Sequence, residues 1–313
     1  MPLAASAENL FYFYSNKDGL KEFKKRAKDI GIFAPQIYEV GSDFEITMNV
    51  SKKIHREIEK KRVPTMPLLV QDNFDKALMT KILTSPDVQD SIIDFMIDEA
   101  KKYKYIGWQF DFENINHRDR NLYTDFVAKT SAEMKKNELQ FSVAVIVRNN
   151  DYNPNSAYQD WSSAYDYKNL APHVDFLSLM TYDDPRSIGP VASLPYVNAA
   201  LDYLVKLVPA EKMSLGIPMY CWQWQNGVRM GATTYYLAKK NYKKGKERET
   251  GFDKVLGAEF FSFIQGKAEM KIWCDNVDSI ELKQKIVTDR GLRGMSAWAL
   301  GQGDPRVWNI LGE

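Results

Sequence analysis

Two carboxylates and an amide recur at alternate positions in Gly107-Trp108-Gln109-Phe110-Asp111-Phe112-Glu113. A period of two is that of a β-strand, so Gln109, Asp111 and Glu113 share one face and Trp108, Phe110 and Phe112 the other. The aromatic face is large enough to need covering elements. The polar face then points inward near the C-terminal end of the strand, where its carboxylates lose part of their hydration. Paired carboxylates so placed suit glycosidic bond cleavage, which needs a proton for the leaving oxygen and support for a developing oxocarbenium ion. Glu113 is last on the polar face and reaches furthest, so it is assigned as general acid, with a pKa raised by partial burial. Asp111 lies roughly 6–7 Å back by strand rise, and spacing alone allows it to be a nucleophile. The amide of Gln109 is expected to donate a hydrogen bond to Asp111 and favour its charged form.

A fold must hold that strand in the middle of a sheet. Strand-type runs occur at 9–15, 32–39, 65–71, 106–113, 140–147, 174–182, 213–220 and 293–299, with helical stretches at 17–30, 51–61, 86–104, 118–136, 193–208 and 278–290. Ile92, Ile93, Phe95, Met96 and Ala100 give one of these helices its apolar stripe. Eight strands with helices between them predict a (β/α)8 TIM barrel, whose active site lies at the C-terminal ends of the strands. Asp111 and Glu113 are at such an end. An open doubly wound sheet is the alternative, but no glycine-rich phosphate turn follows the first strand. One domain over 1–313 is the simplest reading, with a small insertion at 225–272 after the seventh strand. The basic, tyrosine-rich stretch 235–249 within it reads as a solvated helix and turn; the functional alternative is a cationic rim on the cleft.

With 42 Lys and Arg against 41 Asp and Glu, no charge bias points to nucleic acid or to an anionic membrane. No apolar run approaches membrane-spanning length. His55, His117 and His173 form no ligand pattern, and no metal or organic cofactor is expected. Cys221 and Cys274 are equally consistent with one disulfide and with two buried thiols. Met1–Ala7 looks like the tail of a removed signal peptide, with an A-x-A-like site at Ala5-Ser6-Ala7 but no charged or apolar region before it; the alternative is a cytoplasmic protein with a small polar tail, and the first reading is favoured. The expected setting is therefore secreted, periplasmic or at the cell envelope, and the expected state a monomer.

Tyr105-Ile-Gly107-Trp-Gln109-Phe-Asp111-Phe-Glu113 resembles the fourth-strand signature of glycoside hydrolase family 18, D-G-x-D-x-D-x-E. Val174 to Asp184, with Met180-Thr-Tyr182-Asp183, resembles the sixth strand and its M-x-Y-D element. Leu215-Gly-Ile-Pro218-Met-Tyr220 resembles the seventh, and Gly291 to Gly301, with Trp298, the closing strand. Trp161 to Tyr167, Gly189 to Pro195 and Asp111-Phe-Glu-Asn114 look like the bacterial branch that includes spore-cortex-lytic glucosaminidases. The likeness spans nearly the whole chain. Ile106 and Gln109 stand where the signature has aspartates.

The resemblance implies substrate-assisted cleavage with retention of β-1,4-linked N-acetylglucosamine, in chitin, its oligomers or peptidoglycan. Asp111 would then orient the 2-acetamido N–H, Tyr182 would bond the acetamido oxygen, and Trp298 would form the floor under the sugar. Met180 and Tyr182 share a parity on their strand, and Tyr220, Tyr12 and Tyr14 are on inward parities. Asp183 either binds the sugar or anchors a loop. Each also has a plain reading as packing or a satisfied core polar group. The rival from another class is a non-catalytic, lectin-type sugar-binding barrel, against which the presence of Glu113 speaks. A barrel of other chemistry would carry phosphate turns after its last strands; the nearest candidate, Gly301-Gln-Gly303-Asp304, includes an acid.

Overall fold

The computed structural model describes residues 8–151, 159–185 and 187–311. The leader reading at Met1–Ala7 lies outside them. In chain order the elements are β1 (Glu8–Tyr14), α1 (Lys17–Arg26), β2 (Ile32–Val40), β3 (Ile46–Met48), α2 (Lys52–Lys61), β4 (Leu68–Gln71), α3 (Lys76–Leu83), α4 (Pro86–Tyr103), β5 (Gly107–Phe110), α5 (Arg120–Lys136), β6 (Gln140–Ile146), α6 (Tyr167–Leu170), β7 (Phe176–Met180), α7 (Leu194–Leu204) and β8 (Met213–Pro218). Then follow β9 (Cys221–Gln225), β10 (Val228–Thr233), α8 (Tyr235–Lys244), β11 (Lys246–Asp253), β12 (Ala258–Gln265), β13 (Ala268–Cys274), α9 (Val277–Arg290), β14 (Gly294–Trp298) and α10 (Trp308–Leu311).

Eight parallel strands run β1-β14-β8-β7-β6-β5-β4-β2, and β1 pairs with β2 to close the ring. This is the expected TIM barrel. The short β3 is an antiparallel addition outside it, on β2.

The aromatic face of β5 explains how the strand is seated. Trp108, Phe110 and Phe112 are buried. The Trp108 indole N–H donates to the Met96 carbonyl of α4 at 2.8 Å, and the Phe110 ring sits 5.1 Å from that of Phe126 on α5. Large rings that bury this much apolar area and carry one satisfied donor fix the strand against both helices. The paired strand ends at Phe110, three residues short of the expected end. Asp111 and Glu113 therefore sit just past the ladder, and Asn114 turns the chain at φ 51°.

Inside the barrel, a hydrogen-bonded polar layer sits beside an apolar cluster that includes Leu10, Met66, Leu68 and Phe176. The Tyr12 hydroxyl donates to Gln109 Oε1 at 2.7 Å and contacts Ser178 Oγ at 2.6 Å. Gln109 Nε2 donates to Ser142 Oγ at 2.9 Å. Ser214 and Ser296 pair at 2.6 Å. These side chains are all nearly inaccessible to water.

Between β8 and α9 the chain leaves the barrel for a five-stranded antiparallel sheet ordered β10-β9-β13-β12-β11, which starts four residues before the boundary read from sequence. Cys221 and Cys274 face each other across β9 and β13 and form a disulfide. The bridge closes the excursion at the two points where it meets the barrel. The next residue, Asp275, forms a fully buried ion pair with Lys283 of α9. No helix among the described residues is long and apolar enough to cross a membrane.

Candidate active site

A cleft of about 840 Å³ opens at the C-terminal ends of the barrel strands. Asp111, Glu113, Met180, Tyr182, Asp183, Tyr12 and Trp298 all line it. Thus the carboxylates after β5, the segment after β7, the end of β14 and one side chain of β1 meet in one place.

Glu113 is held through its backbone. Its N–H donates to Gln71 Oε1 at 3.3 Å, and the Gln71 amide donates back to the Glu113 carbonyl. Gln71 is buried at the end of β4. The side chain of Glu113 is left to the cleft. Among the described residues no hydrogen bond reaches the carboxylate of Glu113 or of Asp111, or the hydroxyl of Tyr182. These three groups are aimed at a common space and committed to nothing in it.

Burial pushes the Asp111 carboxyl up to about 7. The Glu113 carboxyl is raised well above the ordinary glutamate value by burial first, then by the negative charges of Asp111 and Asp183. Cleft water still touches Glu113 while Asp111 is 4% exposed. Two such acids resist ionising together and titrate as a pair, so the site holds a transferable proton near neutral pH.

Gln109 does not donate to Asp111. Both ends of its amide are engaged by Tyr12 and Ser142, one layer deeper, and it does not reach the cleft. The expected lowering of the Asp111 pKa through that bond is therefore absent, and desolvation acts on Asp111 unopposed.

Tyr182 reaches the cleft because Gly216 on β8 has no side chain. A Cβ there would stand 2.1 Å from the Leu179 carbonyl and 2.9 Å from the Tyr182 ring. Asp183 follows at φ 57°, a conformation costly for a residue with a Cβ. It accepts a hydrogen bond from Tyr220 Oη at 2.6 Å. Asp183 is open to cleft water, yet the dense protein around it raises its pKa, while Tyr220, Arg229 and Trp222 pull the other way. Tyr220 does not line the cleft; it holds Asp183 from behind, with its ring edge against Tyr182 at 6.4 Å.

The Trp298 indole lies across the cleft end of the barrel, 5.2 Å from the Tyr12 ring and stacked on Tyr14 at 6.3 Å. Arg229 and Trp161 are among the wall residues to which the sequence reading gave no role in the cleft. Arg229 comes from the edge strand β10 and stacks on Trp222 at 4.4 Å. Trp161, 39% exposed, comes from the segment before α6. No group of three or more His, Cys, Asp or Glu side chains is arranged to hold a metal ion among the described residues.

A profile of the family described as Glycosyl hydrolases family 18 matches residues 51–303. An uncharacterized glycosylase of Bacillus subtilis, YvbX, is 28% identical over 265 residues, covering 81% of this chain and 75% of its own length. The cortical fragment-lytic enzyme of the same organism is 24% identical, over 82% of this chain and 62% of its own length. The crystal structure of the Bacillus megaterium spore cortex-lytic enzyme SleL superposes with a TM-score of 0.87 at 23% identity, over 99% of this chain and 74% of that one.

Proposed function

This chain belongs to glycosyl hydrolases family 18 and is a glycosidase, and we propose that it cleaves β-1,4-linked N-acetylglucosamine in peptidoglycan by substrate-assisted catalysis. The carrying observation is the trio of uncommitted groups, Glu113, Asp111 and Tyr182, around one cleft. Buried or half-buried polar groups are ordinarily satisfied within the protein; here their partners are supplied by the substrate.

Glu113, protonated by virtue of its raised pKa, gives its proton to the glycosidic oxygen as the bond from that oxygen to the anomeric carbon breaks. The carbonyl oxygen of the substrate's own 2-acetamido group attacks the anomeric carbon from the other face and forms an oxazolinium ion. Asp111 accepts the acetamido N–H and balances the positive charge, and Tyr182 donates to the acetamido oxygen and fixes its aim. Water then opens the ring, losing its proton to Glu113, and the anomeric configuration is retained. Trp298 offers its face to the sugar at the cleavage point. The peptidoglycan assignment draws on the likeness to the cortical fragment-lytic enzyme. A location outside the reducing cytoplasm is part of the same proposal, supported by the Cys221–Cys274 disulfide.

The test is hydrolysis of purified peptidoglycan and of chitin oligomers, each beside a de-N-acetylated counterpart. Cleavage is expected only where an acetamido group precedes the scissile bond. Equal rates with and without it, or a glycosyl ester trapped on Asp111, overturns the mechanism; cleavage of chitin alone overturns the polymer assignment.

A further inference from the structure

Helix α8 carries a second surface, which the chemistry above does not use. Tyr236, Lys239, Lys240, Lys243 and Lys244 fall at i, i+3, i+4, i+7 and i+8, so they share one face of the helix. All five are exposed, Tyr236 at 70%. The opposite face is apolar and packed: Tyr235 and Tyr242 lie 6.1 and 5.4 Å from the Phe261 ring on β12. The helix is thus fixed in rotation, and its cationic face points outward.

That face borders a groove of about 620 Å³ whose other side is Asp304, Pro305 and Arg306. The groove is distinct from the cleft, so the stretch is not the rim of the cleft that sequence allowed. The two depressions are nevertheless joined by one loop. It leaves Trp298 in the cleft, passes Gln302, whose carbonyl accepts from the Tyr235 N–H at 2.8 Å, and arrives at Asp304 and Arg306 in the groove.

The charge on this face is not neutralised locally. None of the four lysines makes an ion pair among the described residues. Asp304, the acid in the groove, is closed off by Arg306 at 2.6 Å, and Glu259 accepts from the Tyr235 hydroxyl at 2.8 Å. Lys239 and Lys243, and likewise Lys240 and Lys244, are like charges one turn apart, an arrangement that weakens a helix. Lys243 and Lys244 gain something from the C-terminal end of the helix dipole; Lys239 and Lys240, in mid-helix, do not. Four cations without an ion pair among the described residues, Lys239 lying also 5.4 Å over the Tyr235 ring, form a row about 7–8 Å long beside an exposed phenol ring and match a polymer that alternates apolar sugar faces with carboxylates.

We propose that the α8 groove is an accessory binding site for a carboxylate-bearing glycan, with Tyr236 stacking on a sugar ring and Lys239, Lys240, Lys243 and Lys244 pairing with carboxylates. It holds the polymer beyond the cleft and favours acidic over neutral glycans. This rests on the reading of the substrate as an N-acetylglucosamine polymer and names the charged form of it that the chain selects.

The experiment measures co-sedimentation of the full chain with insoluble peptidoglycan, with peptidoglycan whose free carboxylates have been amidated, and with chitin, at about 0.05 M and about 1 M salt, where the screening length falls from beyond 10 Å to about 3 Å. Wild type is compared with the combined Lys239→Gln, Lys240→Gln, Lys243→Gln and Lys244→Gln variant, with the corresponding Lys→Arg variant, and with Tyr236→Ala. At low salt the Gln variant is expected to bind native peptidoglycan about tenfold more weakly, from a few tenths of a kcal/mol per exposed pair. The Arg variant retains binding. Amidation or high salt brings wild type down to the Gln variant; chitin binding is the same for wild type and the lysine variants, and Tyr236→Ala weakens binding to peptidoglycan and chitin alike. The circular dichroism spectrum and unfolding midpoint of every variant match those of wild type and report folding. Equal binding of wild type and the Gln variant to native peptidoglycan overturns the proposal, as does a loss that persists after amidation, which would point to phosphate groups. Because binding is read without turnover, failure of wild type to cleave anything counts against the enzymatic reading and leaves this test standing.

Discussion

Two polar layers sit one above the other on the same strand end, and they behave in opposite ways. In the lower layer, Gln109 has both ends of its amide engaged by Tyr12 and Ser142. In the upper layer, two residues further on, Asp111 and Glu113 have no side-chain partner among the described residues. The backbone brings both layers inward by the same alternation, so geometry alone does not separate them. What separates them is satisfaction. A buried amide engaged at both ends strengthens the barrel; an acid without a partner, Asp111 buried and Glu113 half-buried, keeps a raised pKa and waits for a ligand. In this chain, stability and chemistry are set apart by a single step of the strand.

The sharpest way to test that division is to alter the upper layer and look for loss of rate without loss of fold. Glu113→Gln is expected to lower turnover by about 10²–10⁴, the usual worth of general acid catalysis, with sugar binding kept. A variant with near-normal turnover on a poor leaving group removes Glu113 from that role. Altering the lower layer should do the reverse. Gln109→Leu takes one partner each from the Tyr12 and Ser142 hydroxyls, which keep Ser178 and Met66, and is expected to cost about 1–2 kcal/mol in denaturant unfolding. No loss of stability would mean that the lower layer is not structural.

Asp111 links the two layers and gives a pH signature. Its folded pKa, about 7, exceeds that of the unfolded chain, near 4. The native state therefore holds the proton more tightly, and wild-type stability falls as pH rises from about 4 to about 7. Asp111→Asn lacks this loss. It should match wild type near pH 4 and exceed it by up to about 4 kcal/mol at pH 8, measured as the change in unfolding free energy with pH. Removing that negative charge also lets the Glu113 pKa drop, so residual activity should lose its basic limb at lower pH. A pH-independent difference would show that Asp111 is already ionised in the native state. The smallest effect belongs to Tyr182→Phe, which removes one uncommitted hydroxyl. Turnover should fall about tenfold, on the scale of one hydrogen bond, with unfolding unchanged. A stability loss instead would place Tyr182 with the lower layer.

Much of this was legible in the residues. Each of the eight barrel strands carries its own apolar run, and the alternation from Gly107 to Glu113 located the carboxylates. The signals failed where they depend on partners far away in sequence. Nothing local tells whether Gln109 turns to Asp111 or to Tyr12 and Ser142, because the choice is made across the barrel. Gln71 clamps Glu113, and its only trace is a polar residue closing an apolar run. Helix α3 is short and follows directly on β4 and its turn, so no periodic stretch announced it. The outer strands β10 and β11 are exposed; β11 is largely polar, and β10 is a short edge strand whose Val228 and Met230 face solvent, so neither gives the apolar run of a core strand, and Arg229 was missed with them.

The excursion from β9 to β13 departs and returns through Cys221 and Cys274, whose Cα atoms are 4.4 Å apart. Seen from the barrel, the whole of the outer sheet and its helix α8 is a single covalent knot between neighbouring residues. What hangs from that knot can be lengthened, shortened or exchanged at little entropic cost to the ring beneath it. The bridge thus fixes where the outer sheet joins the ring, and with it the place from which Arg229 reaches the cleft wall.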